Sequence, residues 1–205
     1  MSITLIIILA TGIVSAIAFK NRELFQKLEF TPYVVFHQKE YFRFFTHALL
    51  HADWMHLLIN MLVLWFFGET TEYYFQAYLG AKGIFYFILL YVGSVIFASL
   101  PTFNKHKENY TYRSVGASGA VSAIVMSSVI FNPLNSICLY GLICFPGIIW
   151  AIIYLVYSFQ MAKKSSDNIN HDAHFWGAVF GIVFTIVAIP STLMNFINQL
   201  LSVFS

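Results

Sequence analysis

Four residues of this sequence could together make and break an acyl bond: His56, Asn60, Ser118 and His174. A serine hydroxyl becomes a useful nucleophile once a neutral imidazole within reach takes its proton. The tetrahedral intermediate that follows carries an oxyanion, which needs donors already in place. Ser118 and His174 have the right types for nucleophile and base. His56 and Asn60 are neutral donors for the oxyanion, joined by the backbone N–H of Ser118 and the positive end of the helix it opens. They stand four apart, so on a helix they share a face. Asp172 lies two residues before His174 and is expected to face a loop, which favours a Ser/His dyad over a triad.

The elements that must position these groups follow from composition. The chain has 205 residues, 59% hydrophobic and only 10% charged, with a mean hydropathy of +0.73. Soluble domains carry about 25% charge, so there is too little polar surface here to cover a water-soluble globule. The balance excludes a soluble enzyme, a disordered chain and a disulfide-stapled secreted domain. A net charge of +2 gives no basis for nucleic-acid binding. Cys138 and Cys144, the only cysteines, lie in apolar surroundings and do not suggest a disulfide framework.

Runs without Lys, Arg, Asp or Glu fall at residues 2–19, 55–68, 83–101, 115–131, 137–161 and 173–189. They are continuously apolar rather than alternating, which predicts helices and not a barrel. The expected fold is all-α, a polytopic bundle of six transmembrane helices forming one domain over residues 1–205. No Lys or Arg precedes the first run, so it reads as a retained helix rather than a cleaved signal. The connection 20–54 is long and aromatic-rich, with Phe36, Tyr41, Phe42, Phe44 and Phe45, and is expected to lie partly helical at the interface. Residues 132–136, with Pro133, predict a tight turn. The uncharged tail 191–205 is expected to lie along the membrane surface.

Polar side chains inside a span need a reason. Spans two, four and six run in the same direction, so His56, Asn60, Ser118 and His174 fall at similar shallow depth on one side of the bilayer. Each has a plainer reading alone: a serine among small residues eases packing, and a His/Asn pair ties neighbouring helices together. Their convergence favours acyl transfer. His174, Gly177 and Gly181 share one face of the last span, and Gly119 offers a matching small surface, as a hydrogen bond between Ser118 and His174 requires.

His56-x-x-x-Asn60, Gly116-Ala117-Ser118-Gly119 and Ala173-His174-x-x-Gly177-x-x-x-Gly181 resemble, in order and spacing, the motifs of the rhomboid intramembrane serine proteases. The segment from Arg43 to His51 and Gly68-x-x-x-Glu72 fit as well. The resemblance implies a six-helix core and cleavage of peptide bonds in or near transmembrane segments. It implies Ser118 as nucleophile, His174 as general base and acid, and His56 with Asn60 as oxyanion donors, with no cofactor or metal. The partners implied are single-span membrane protein substrates and the lipid bilayer. Two departures stand out. The family often has an aromatic residue one turn after the serine, stacked on the histidine, where this chain has Ser122. It commonly has a Trp-Arg pair where this chain has Phe42-Arg43.

The resemblance also implies a bacterial inner membrane with the site facing outward. Ten of the eleven Lys and Arg (Lys20, Arg22, Lys27, Lys39, Arg43, Lys105, Lys107, Arg113, Lys163, Lys164) fall on the site's side, leaving Lys82 opposite. The positive-inside rule places that side in the cytoplasm. Rival functions have weaker support. A metal site would draw on His47, His51, His56 and His171, yet no HExxH motif is present. A transporter would favour charged groups near mid-membrane, and none is found there. A rhomboid-like module that binds membrane helices without cutting them would be expected to have lost Ser118 or His174.

Overall fold

The computed structural model of the protein describes residues 1–139, 143–164, 167 and 169–203. Helix α1 (Ile3–Ala18) is followed by short helices α2 (Arg22–Leu28), α3 (Pro32–Gln38) and α4 (Arg43–Thr46) in the long connection. Helices α5 (Trp54–Leu79) and α6 (Gly83–His106) form an antiparallel pair across a tight turn at Gly80–Lys82. Next come α7 (Ser118–Phe131), strands β1 (Ser136–Leu139) and β2 (Ile143–Pro146), α8 (Gly147–Lys164), α9 (His171–Ala188) and α10 (Ser191–Leu201).

Polarity is arranged inside out. Leu58, Leu62, Trp65 and Phe66 of α5, Phe85 and Leu89 of α6, Ile152 and Val156 of α8, and Val183 and Val187 of α9 are exposed. Thr4, Thr11, Ser15, Asn60, Thr71, Ser94, Ser127, Ser158 and Thr185 are buried. Water would penalise that surface, whereas hydrocarbon accepts it, and small hydroxyl residues let helices approach and bond. Among the described residues two stretches are long and apolar enough to cross a membrane: 54–106, which holds both α5 and α6, and 171–188. Helices α1 and α7 are apolar but shorter, at 16 and 14 residues.

Helix α7 is the axis of the bundle. Of its 14 residues, only Ser118 and Val125 escape full burial. Its tightest neighbour is α9. A Cβ placed on Gly177 would come 2.1 Å from the Gly119 carbonyl oxygen, and one on Gly181 would come 2.2 Å from that of Ala123. The two backbones are therefore in direct contact, which only glycine allows. Further along, the Thr185 and Ser127 hydroxyls lie 2.7 Å apart.

The long connection is partly helical, as expected, and is pinned by a buried guanidinium. Arg43 donates from Nε to Glu40 at 2.7 Å and from Nη1 to the carbonyls of Gln26 and Glu29, both at 2.8 Å. At the start of the chain, Glu72 accepts from the Ile3 and Thr4 backbone N–H groups at 3.0 and 2.9 Å, fixing α1 on α5.

The structure corrects three expectations. The fold is not purely helical: residues 136–139 and 143–146 form an antiparallel hairpin, so the fifth apolar run becomes helical, as α8, only from Gly147 rather than from near 137. A short run rich in β-branched and apolar residues is ambiguous between strand and helix, and the hairpin pairing decides it. Cys138 and Cys144 face each other in that hairpin and are joined in a disulfide. Helix α5 runs to Leu79, well past residue 68, because Glu69 and Glu72 satisfy the first turn of α1 instead of ending the helix. The tail forms helix α10, whose Gln199 donates to the Phe131 carbonyl at 3.1 Å.

Gly177→Ala is expected to lower the thermal unfolding midpoint in detergent, by about 1–3 kcal/mol of stability, the usual range for overpacking. Gly12→Ala, with nothing within 4 Å of its new methyl, is expected not to lower it, since alanine is the better helix former.

Candidate active site

Ser118 is the first residue of α7, and the preceding Ala117 offers no side-chain cap. An uncapped helix start leaves its first N–H groups directed outward, with the positive end of the helix dipole behind them. His174 sits in the first turn of α9, whose start is fixed by Asn170: its side chain accepts from the Ala173 N–H at 3.1 Å and from the Thr102 hydroxyl at 3.0 Å. The Gly119–Gly177 contact then brings His174 Nε2 to 2.8 Å from Ser118 Oγ. Asp172 turns to Lys105, at 3.2 Å, and is not a third member.

His56 and Asn60 face the same space from α5. Asp53 caps that helix by accepting from the His56 N–H at 2.8 Å. The Ala52 backbone N–H lies 3.3 Å from His56 Nδ1 and can only donate, so Nδ1 accepts and the ring proton sits on Nε2. His56 Nε2 is thus a donor. Gly116, at φ 126°, leaves room for it: a Cβ there would lie 2.9 Å from the ring and 3.8 Å from Ser118 Oγ. Asn60 donates one N–H to the His56 carbonyl at 2.9 Å, and its amide has a second to offer. The four residues picked out from the sequence are therefore brought together at one end of the bundle.

They line a cavity of about 1170 Å³ along with Ser122 and Tyr154. A second cavity, about 20 Å³ and large enough for a single water, lies behind Ser118 beside His47, Ser99 and Asn170. The other histidines that a metal site would draw on have hydrogen-bond partners of their own. His47 Nδ1 donates to the Arg43 carbonyl at 2.9 Å, His51 Nδ1 meets the Ser15 hydroxyl at 3.1 Å, and His171 Nε2 meets both Asp167 oxygens at 3.1 Å. Among the described residues no three His, Cys, Asp or Glu side chains gather as metal ligands would.

Two contacts were not read from the sequence. The Tyr154 phenol of α8 lies 2.5 Å from Ser122 Oγ, and its ring is stacked on His174, with centroids 6.3 Å apart and planes 25° apart. The signal was the spacing of Gly147, Ala151, Tyr154 and Ser158, which puts Tyr154 on the inward face of α8.

The rhomboid domain profile matches residues 38–191, well over half of the chain and the whole of the site. The chain belongs to the rhomboid family. It is 27% identical over 148 residues to "RHOMBOID-like protein 12, mitochondrial" of Arabidopsis thaliana, covering 67% of this chain and 44% of that protein. It is 28% identical over 150 residues to the "Putative rhomboid protease YdcA" of Bacillus subtilis, covering 73% and 68%. Similarity to "Rhomboid-like protein 11, chloroplastic" of Arabidopsis thaliana is 28% over 158 residues, covering 70% and 51%. The chain thus spans about half the length of the two plant relatives.

Burial holds the His47 imidazole down to about 4, against hydrogen bonds to the Arg43 and Phe44 backbone. Burial, aided by the nearby His56, holds His51 down to about 3. Both rings resist protonation when folded, so below about pH 6.5 the unfolded chain binds protons that the native one does not, and stability falls with pH. The unfolding midpoint is expected to drop between pH 7 and pH 4. The drop is expected to be shallower in His51→Asn, which keeps a donor for Ser15 but cannot be protonated.

Proposed function

We propose that this rhomboid-family protein is an intramembrane serine endopeptidase that cleaves single-span membrane proteins with a Ser118–His174 dyad. The observation that carries this reading is the 2.8 Å contact between Ser118 Oγ and His174 Nε2, facing a cavity that the donors His56 and Asn60 also line. In this mechanism Ser118 Oγ attacks the scissile carbonyl carbon while its proton passes to His174 Nε2. The carbonyl oxygen becomes an oxyanion and accepts from His56 Nε2–H, the second Asn60 N–H and the Ser118 backbone N–H. His174 returns the proton to the leaving amine, which departs as the C–N bond breaks. A water then loses a proton to His174 and attacks the acyl carbon, and His174 returns that proton to Ser118 Oγ as the ester C–O bond breaks, which restores both side chains. None of these steps needs a metal or a cofactor.

We read residues 1–205 as one membrane domain whose helices α1, α5, α6, α7, α8 and α9 make six crossings. Helices α1 and α7 are short for a bilayer about 30 Å thick; α7, the shorter, is encased by its neighbours and meets no lipid over most of its length. A second reading, a non-catalytic module that binds membrane helices, has no support from the Ser–His contact.

Cleavage of a single-span substrate in detergent is expected from the parent and from neither Ser118→Ala nor His174→Ala. Asn60→Ala is expected to slow it by up to about 10²–10³, the scale of one lost oxyanion donor. Cleavage by Ser118→Ala at the parent rate would eliminate the serine mechanism.

We place the mouth of the site on the outward face of a bacterial inner membrane, following the family. Two observations favour the opposite placement: the ten Lys and Arg on the site's side, and a Cys138–Cys144 bridge at the far end, which calls for an oxidising compartment. Tyr110, 73% exposed in the loop beside the site, decides between them. Tyr110→Cys is expected to react with a membrane-impermeant maleimide in intact cells; reaction only after permeabilisation would invert the assignment.

A further inference from the structure

The imidazole that must take and return the proton is not held by any carboxylate on its own helix, since Asp172 points to Lys105. A ring with one hydrogen bond can swing about its side-chain torsions, and each rotation breaks the contact with Ser118. Two other rings enclose it. His171, one turn earlier on α9, meets it edge-on with centroids 5.7 Å apart and planes at 82°. Tyr154, from α8, lies near-parallel and offset beside it, with centroids 6.3 Å apart and planes at 25°.

The Tyr154 ring is itself fixed. The Ser118 carbonyl, one turn back on α7, lies 2.7 Å from Ser122 Oγ and can only accept, so the Ser122 hydroxyl donates to it. The Tyr154 O–H then donates to Ser122 Oγ at 2.5 Å. A chain of two hydrogen bonds thus runs from the phenol through Ser122 to the backbone of the candidate nucleophile. The short side chain at 122 puts its hydroxyl within reach of both the phenol and the Ser118 carbonyl.

We infer that Tyr154 is a positioning residue for His174, setting the plane of the imidazole while Ser122 registers the phenol on the helix that carries Ser118. The inference rests on the proposed Ser–His reading. Tyr154 touches none of the reacting atoms, so its effect is on the fraction of molecules in which Nε2 faces Oγ. Losing the ring lowers turnover without weakening substrate binding. Losing only the hydroxyl leaves the stack and costs little.

The test is the split between kcat and KM for a single-span substrate in detergent, alongside the rate at which a fluorophosphonate labels Ser118. Tyr154→Leu is expected to lower kcat and the labelling rate in parallel by about tenfold, the upper end of what a ring pair contributes, with KM unchanged. Tyr154→Phe is expected to stay within about threefold of the parent on the same scale. Unfolding midpoints separate folding from function, with each rate normalised to folded protein. Parent kcat in folded Tyr154→Leu, or a change confined to KM, would overturn the inference while leaving the dyad intact. Loss of the proposed chemistry itself reads differently: Ser118→Ala would then cleave as the parent does.

Discussion

One contact between two backbones governs this structure. The Gly177 Cα face of α9 lies against the Gly119 carbonyl of α7, so closely that a methyl group would sit 2.1 Å from that oxygen. Because Ser118 precedes Gly119 and His174 lies one turn before Gly177, the approach that glycine permits is the same one that sets the 2.8 Å separation of Oγ and Nε2. Gly181 against Ala123 repeats the contact farther along and fixes the helix angle, so the two backbones cannot drift apart without the whole packing opening. In a membrane, where lipid tails compete with apolar side chains on equal terms, close packing of this kind and internal hydrogen bonds are what hold helices together.

The rest of the bundle serves that pair. Helix α7 is surrounded on nearly every side, and the two residues it leaves partly open, Ser118 and Val125, both line the large cavity. Helix α5 presents His56 and Asn60 from a start capped by Asp53, and Gly116 removes the one side chain that would keep His56 away. The long connection is anchored by Arg43 to two carbonyls of the preceding segment, which holds His47 and His51 in place at the edge of the site. Apolar residues face outward and hydroxyls inward, so the polar chemistry sits inside a shell that lipid can wet.

Much of this was legible in the sequence because its signals were strong and local. Runs without charge mark the helices, and the i, i+4 spacing of His56 and Asn60 puts both on one face. The parallel direction of alternate spans brings Ser118 and His174 to the same end. Glycines at 177 and 181 foretell close helices. What the sequence did not yield depends on distant pairing. The hairpin at 136–146 reads as more helix until its strands find each other, and the Cys138–Cys144 bridge follows from that register. Tyr154 looks like one more aromatic in an apolar helix, since only the arrangement of α8 against α7 shows it meeting Ser122 and covering His174. The extent of α5 is hidden in the sequence because a charged residue ends an apolar run, whereas Glu69 and Glu72 lie inside the helix and receive the start of α1.

The most direct measurement is cross-linking of Ser118→Cys with His174→Cys in membranes by a short bifunctional thiol reagent. All variants are built in a chain whose two native cysteines are replaced, Cys138→Ser and Cys144→Ser, so the introduced pair stands alone. Proteolysis after Lys163 or Lys164 then separates α7 from α9 unless a bridge joins them. The account expects a bridge in the double variant and none in either single variant. Two thiols that each react with a monofunctional reagent yet never bridge would contradict it, because the helices would then not hold residues 118 and 174 within reach of one another.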